Sequence, residues 1–117
     1  MTKLKALSVR DPFASQIASG AKRIENRSWG VRVSGPVALH RCGKNGAIIG
    51  VMDIERVISA EQALREMPEQ AQFISGPLCW VIKSFEPCAP ISCGGRLSLW
   101  DCALSHKNAP PQQECTK

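Results

Sequence analysis

Four chemically capable side chains crowd the stretch "ASGAKRIENRSWG", Ala18 to Gly30. Lys22 supplies an ammonium or, once deprotonated, an amine for base or nucleophilic work. Glu25 is a proton acceptor. Arg27 carries a planar fork of donors suited to a phosphate or a carbonyl. Trp29 offers a flat face on which a base can stack. Each residue also has a plainer use. A lysine just past a helix end answers the last carbonyls of that helix. Glu25 and Arg27 can form a surface ion pair of little energy. If "RIENRSW" is a strand, alternation sends Glu25 and Arg27 to one side and Ile24, Asn26 and Ser28 to the other. Lys22 sits at the turn, where alternation does not bind it.

The elements around this stretch follow from local signals. "LKALSV", Leu4 to Val9, reads as a strand. Asp11 before Pro12 is an N-cap followed by a proline at the first helical position. Phe13 and Ile17 stand four apart with Ala14 and Ala18 beside them, which predicts one apolar helix face ending at Gly20. "GPVALHR" predicts a strand. "GAIIGVMDIERVI", Gly46 to Ile58, predicts a bent one, with the bend at Gly50. Ser59 and Gln62 make a capping box for a short middle helix that Pro68 ends. "LCWVIKSFEP" and "GRLSLWDCAL" predict two more strands. Trp80, inside "LCWVI", reads as core, and Trp100 is ambiguous. Asp53 and Glu55 alternate with Met52 and Ile54, with Glu55 facing solvent.

The chain has 117 residues, 44% of them apolar and 21% charged, so one α+β domain with a real core is expected. Its net charge of +5 and pI of about 9.1 suit a polyanion or nucleotide partner without demanding one. The opening "MTKLKALSVRDPF" has no apolar core of a secretory signal. No apolar run approaches the roughly 18 residues of a membrane span. The expectation is a cytoplasmic protein with no membrane partner. The six cysteines, Cys42, Cys79, Cys88, Cys93, Cys102 and Cys115, include no C-x-x-C pair. They read as free thiols, several of them small core residues, and not as metal ligands. Neither a metal nor a cofactor is needed. The last residues, 105–117, are polar and proline-bearing and read as a tail, with His106 solvated.

Several segments in order are similar to one known family. "LKALSVRDPFASQIASGAKRIENRSW" resembles the opening of the ASCH domain family of the PUA-like superfamily, a strand, a helix ending in "GxK" and then "IENRSW". "VSGPVALHR", "GAIIGVMDIERVI" and "SGPLCWVIKSFEPCAPISCGGRLSLWD" resemble its later strands. The likeness covers Leu4 to Asp101, so residues 1–104 are expected to form the domain. It implies a small PUA-like β-barrel, closed or partly closed, with the first helix across one opening and a short middle helix. It also implies a cleft for RNA or a nucleoside- or nucleotide-like ligand. Carried onto this chain, the resemblance implicates Ser8, Arg10, Lys22, Glu25, Arg27 and Trp29, with His40 at the end of the next strand. At a strand end such a histidine can be a base or a ligand contact, but a satisfied structural histidine is the more common case.

Some members of the wider family are amidohydrolases that remove an acyl group from N4 of cytidine. They use a lysine at the Lys22 position, a threonine two residues before the arginine, and a glutamate elsewhere. Here that threonine position is taken by Glu25, with Asn26 beside it, and the hydroxyl is absent. Glu61 and Glu66 are the candidates for the second glutamate. Asp11 and Phe13 replace the glutamine and tryptophan usual in relatives, and "RCGKNG" makes the rim near His40 particular to this chain. A binding module is therefore expected ahead of an amidohydrolase with Lys22 and Glu25 as its catalytic pair. A protein-interaction module is the third reading.

Overall fold

The computed structural model describes residues 3–105; the tail expected from residue 105 lies outside them, His106 and Cys115 included, apart from Ser105 itself. In chain order the elements are β1 (Lys3–Arg10), α1 (Phe13–Ser19), β2 (Ile24–Arg27), β3 (Gly35–Cys42), β4 (Ala47–Ser59), α2 (Ala60–Glu66), a 3-10 helix (Pro68–Phe73), β5 (Leu78–Ser92) and β6 (Leu99–Ser105). They form one mixed sheet in the order β2-β5-β4-β3-β1-β6. β1 and β3 are parallel, because α1, β2 and the following loop supply the crossover between them. The other ladders are antiparallel. No helix among the described residues is long and apolar enough to cross a membrane.

The expected barrel is not closed by hydrogen-bonded strands, since β2 and β6 end the order. The sheet is nonetheless strongly coiled. β2 and β1 are four strand spacings apart in the order, about 19 Å in a flat sheet. Yet Arg27 Nη2 donates to the Ser8 carbonyl at 3.0 Å. β2 has four residues and offers little edge for a second ladder, so side chains fill the seam. The coil comes from the long strands β4 and β5, whose register shifts at Ile48/Gly50, Asp53/Ile54 and Ile54/Arg56. Gly50 is the predicted bend. A Cβ there would lie 2.4 Å from Phe85 Cζ and 2.5 Å from the Glu86 carbonyl.

α1 lays Ala14 and Ile17 on Leu7, Val9, Leu39, Trp80 and Ile82. Pro12, not Asp11, takes the N-cap position, with no side-chain cap; Asp11 lies one residue before it and accepts from the Ser15 N–H at 2.9 Å. Gly20 closes it in the left-handed region, φ 88°. Ser59 Oγ accepts from the Gln62 N–H at 3.0 Å as the start of α2 requires. Pro68 ends α2 but also opens a 3-10 helix that no sequence signal had indicated. β6 starts at Leu99 and not at Gly95. Ser98 has φ 57°, and Leu97 is 92% exposed, so residues 95–98 form a loop.

Trp80 is fully buried and anchors the loop after β2. Its Nε1–H donates to the Trp29 carbonyl at 3.1 Å, and the Trp29 ring meets it edge-on at 5.2 Å. Gly30 has φ 92°, and a Cβ there would sit 2.6 Å from Trp80 Cζ2. Gly30→Ala should therefore cost about 2–4 kcal/mol, overpacking added to a left-handed backbone. Gly20→Ala has the same backbone sign but open space around its Cβ, and should cost only about 1–2 kcal/mol. Urea unfolding of the two variants checks the order, and equal losses would show that Trp80 yields to the added methyl.

Candidate functional site

The turn after α1 is built to aim Lys22 inward. Its backbone N–H donates to the Gln16 carbonyl at 3.1 Å, folding the chain back against the helix end. Gln70, buried on the 3-10 helix, then clamps the turn. Its Oε1 accepts from the Arg23 N–H at 2.6 Å, and its Nε2 donates to the Ala21 carbonyl at 3.1 Å. β2 follows and alternates as predicted. Ile24 faces the cluster with Ile58 and Cys79, while Glu25 and Arg27 face the seam. Asn26 holds the opposite wall: its Nδ2 donates to the Phe73 carbonyl at 2.8 Å, and its Oδ1 accepts from the Ser75 and Gly76 N–H groups.

Lys22 and Glu25 are 3% and 6% exposed. Lys22 Nζ donates to the Ile24 carbonyl at 2.6 Å and to Glu25 Oε1 at 3.1 Å, and lies 5.6 Å from the centre of the Phe13 ring. Glu25 Oε2 accepts from Arg27 Nε at 3.0 Å and lies 2.9 Å from Nη2 in the same ion pair. One carboxylate thus bridges two cations, and the group carries a net positive charge. Arg27 Nη1 has no partner among the described residues. Nearby, burial pushes the Cys79 thiol up, with the Lys22 charge opposing it, which suits an inert core cysteine. Burial likewise raises the Cys102 thiol. Cys42, Cys88 and Cys93 are part-buried. Among the described residues no three His, Cys, Asp or Glu side chains gather as a metal site would require.

Two clefts flank this group and meet at Glu25 and Asn26. The first, of about 390 Å³, is lined by Arg10, Arg27 and Arg96, with Ser8, Cys42 and Leu97 among the rest. Among the described residues Arg10 and Arg96 have no carboxylate partner, so the cleft is strongly cationic. The second, of about 420 Å³, is lined by Phe13, Lys22, Gln72, Phe73 and Ser75 besides the shared pair. One cleft therefore offers guanidinium groups, and the other offers aromatic faces beside amides.

Of the predicted site residues, Ser8, Arg10, Lys22, Glu25 and Arg27 come together at the two clefts. Trp29 does not line them; it is part-buried against Trp80. His40 is fully buried behind Ser8. The Cys93 carbonyl lies 2.8 Å from its Nε2 and can only accept, and Ser8 Oγ lies 3.1 Å from Nδ1, so both ring nitrogens are taken. Trp100 Nε1 donates to the same hydroxyl at 3.3 Å, which makes Trp100 structural. Glu61 and Glu66 lie on α2 beside Arg65 and Arg56 and line neither cleft. Arg96 and Phe73 were missed. Arg96 sits in a loop without a pattern of its own, and Phe73 in the unpredicted 3-10 helix.

The chain matches the family model described as ASCH domain over residues 7–110. No curated protein matches it. It is similar in structure to ASCH from Zymomonas mobilis, at 17% identity over 86% of this chain and 87% of that chain, with a TM-score of 0.67. Two variants of that protein, a serine-to-alanine and a tyrosine-to-phenylalanine mutant, align at 15% and 16% identity over 86% of this chain, covering 88% and 90% of theirs. Both have a TM-score of 0.63.

Removing the shared anion strands both cations, one of them deeply buried. Glu25→Gln should cost about 3–5 kcal/mol. Lys22→Met leaves Glu25 paired with Arg27 and should cost clearly less. Chemical denaturation of both variants tests the order, and a Lys22→Met loss equal to or above that of Glu25→Gln would contradict the shared-anion account.

Proposed function

The chain belongs to the ASCH domain family, and we propose that its paired clefts bind a phosphorylated nucleoside unit of RNA or a free nucleotide. The observation that carries this reading is the convergence of Arg10, Arg27 and Arg96 on one cleft that adjoins a second cleft bearing Phe13 and Phe73. Guanidinium groups bind phosphate through paired, charge-assisted hydrogen bonds. Aromatic faces take an unstacked base, and Gln72 and Ser75 supply polar groups for its edge. Asn26 is held to the 73–76 segment and keeps the aromatic wall in place. Within this reading Glu25 and Lys22 organise Arg27 and do not do chemistry. Lys22 Nζ is engaged by two acceptors, the Ile24 carbonyl and Glu25 Oε1, which suits a positioning role.

One observation favours a second reading, an amidohydrolase acting on N4-acylated cytidine: Lys22 and Glu25 touch, at 3.1 Å, where such a pair must. In it Lys22 first yields its proton to Glu25 and, as an amine, takes a proton from a water whose oxygen attacks the acyl carbon. The acyl C–N4 bond then breaks, Glu25 gives its proton to N4 of the leaving cytidine, and the acid is released. Incubation with N4-acetylcytidine, with cytidine followed by chromatography, should show no release above the Lys22→Ala background. Release by the wild type alone would establish the hydrolase.

Calorimetric titration tests the binding reading. Uridine 5′-monophosphate should bind more tightly than uridine, and its affinity should fall as salt rises. Arg96→Ala should weaken the monophosphate about tenfold, the scale of one charge-assisted hydrogen bond, and leave uridine unchanged. Equal affinity for the two ligands at every salt concentration would overturn the assignment of the arginine cleft to phosphate.

A further inference from the structure

A third cleft, of about 290 Å³, lies outside the site described above and is lined by Lys3, Lys5 and Arg32 with Val33, Ser34, Pro36, Val37 and Leu99. Lys5 pairs with Asp101 at 2.7 Å, and among the described residues neither Lys3 nor Arg32 has a carboxylate partner. The surplus of positive charge acts on Asp101: the Lys5 hydrogen bond, the Lys5 charge and then the Lys3 charge hold its carboxyl below the usual range. The lining differs in kind from that of the first two clefts. It has no aromatic ring and no side-chain amide, so it offers nothing to stack on a base and little to read its edge. What it offers is cations on an apolar floor, which suits a phosphate backbone.

The third cleft is joined to the arginine cleft along two segments. β1 lines both, with Lys3 and Lys5 in one and Ser8, Val9 and Arg10 in the other. The segment after β5 lines both as well, with Arg96, Leu97 and Ser98 in one and Leu99 in the other. Lys3 and Lys5 leave β1 on the face opposite to Ser8 and Arg10, so a path between the clefts must cross the strand. It can cross where the β1–β6 ladder stops, at the Leu7–Leu99 pair. From Lys5 to Arg10 the strand advances five residues, about 17 Å. That exceeds what one nucleotide spans, so a ligand that touches both clefts must carry more than one.

Building on the proposed nucleotide reading, we infer that the third cleft extends the site into a path for the backbone of a single-stranded RNA. One base enters the cleft lined by Phe13 and Phe73, its phosphate meets Arg10, Arg27 and Arg96, and the following phosphates run over Ser98 and Leu99 to Lys3, Lys5 and Arg32. A duplex does not fit this scheme, because its bases stay stacked.

The test uses the full chain with uridine 5′-monophosphate and fluorescently labelled oligouridylates of two, four and eight nucleotides, each titrated at several salt concentrations. Affinity should rise at least tenfold from the monophosphate to the octamer. The triple variant Lys3→Gln, Lys5→Gln, Arg32→Gln should bind the monophosphate as the wild type does. For the octamer it should lose affinity at low salt, with a log–log salt slope smaller by about 2, as expected when up to three phosphate contacts go at roughly 0.7 each. The charge-keeping variant Lys3→Arg, Lys5→Arg, Arg32→Lys should restore the wild-type slope. An octamer that binds no tighter than the monophosphate, or an unchanged slope in the triple variant, overturns the path while the nucleotide reading stands. No binding of the monophosphate by the wild type overturns the nucleotide reading, and the path with it. Heparin displacing the octamer as effectively as unlabelled oligouridylate at equal charge would also overturn the assignment to RNA.

Discussion

Everything at this site turns on one carboxylate shared between two cations. Glu25 is buried, and burying a charge is costly unless it is paired and hydrogen-bonded. Lys22 and Arg27 take one oxygen each, and Arg27 then has a donor left for the Ser8 carbonyl of β1. A single anion thereby fixes the turn after α1, the short strand β2 and the far side of the coiled sheet. The surplus positive charge stays in the seam, where Arg10 and Arg96 add to it. The same arrangement that holds the sheet edges together produces a cationic cleft.

The fold explains why the seam exists. The pairing order leaves β2 and β6 without a ladder between them, while the irregularities of β4 and β5 coil the sheet until β2 reaches β1. A ladder would have consumed the backbone groups there and left no space. Side chains bridge the gap instead, and the two clefts open on either side of the bridge. The walls are firm. Trp80 anchors the loop after β2, Asn26 fastens the 73–76 segment, and Gln70 clamps the turn before Lys22. His40, Ser8 and Trp100 form a network whose Ser8 hydroxyl also accepts the Arg96 N–H, at 3.3 Å, and so seats the loop carrying that arginine. Gly95 makes the seating possible, since a Cβ there would lie 2.5 Å from Ser8 Oγ.

Much of this was legible in the sequence, because it is written in local patterns. The helix face of Ala14 and Ile17, the cap at Gly20, the Ser59–Gln62 cap and the bend at Gly50 each depend on residues near in the chain. So does the alternation that set Glu25 and Arg27 apart from Ile24 and Asn26. The parts that were not legible depend on partners far away. Trp29 reads as a stacking face until Trp80, 51 positions later, is found against it. His40 reads as a cleft residue until Ser8 and the Cys93 carbonyl take both of its nitrogens. Arg96 has no periodic signal, and the closure of the barrel depends on whether two strands at the ends of the order meet, which no local pattern states.

The most direct test of the account is a residue-resolved nuclear magnetic resonance titration of the ¹⁵N-labelled protein with uridine 5′-monophosphate, following backbone amides and arginine Nε–H groups. The account predicts saturable shifts centred on Ser8–Arg10, Glu25–Arg27 and residues 96–98, with the Arg27 Nε–H among the largest, and a second set at Phe13 and 72–75. Saturable shifts that leave the arginine cleft untouched, or no shifts at millimolar ligand and low salt, would contradict it.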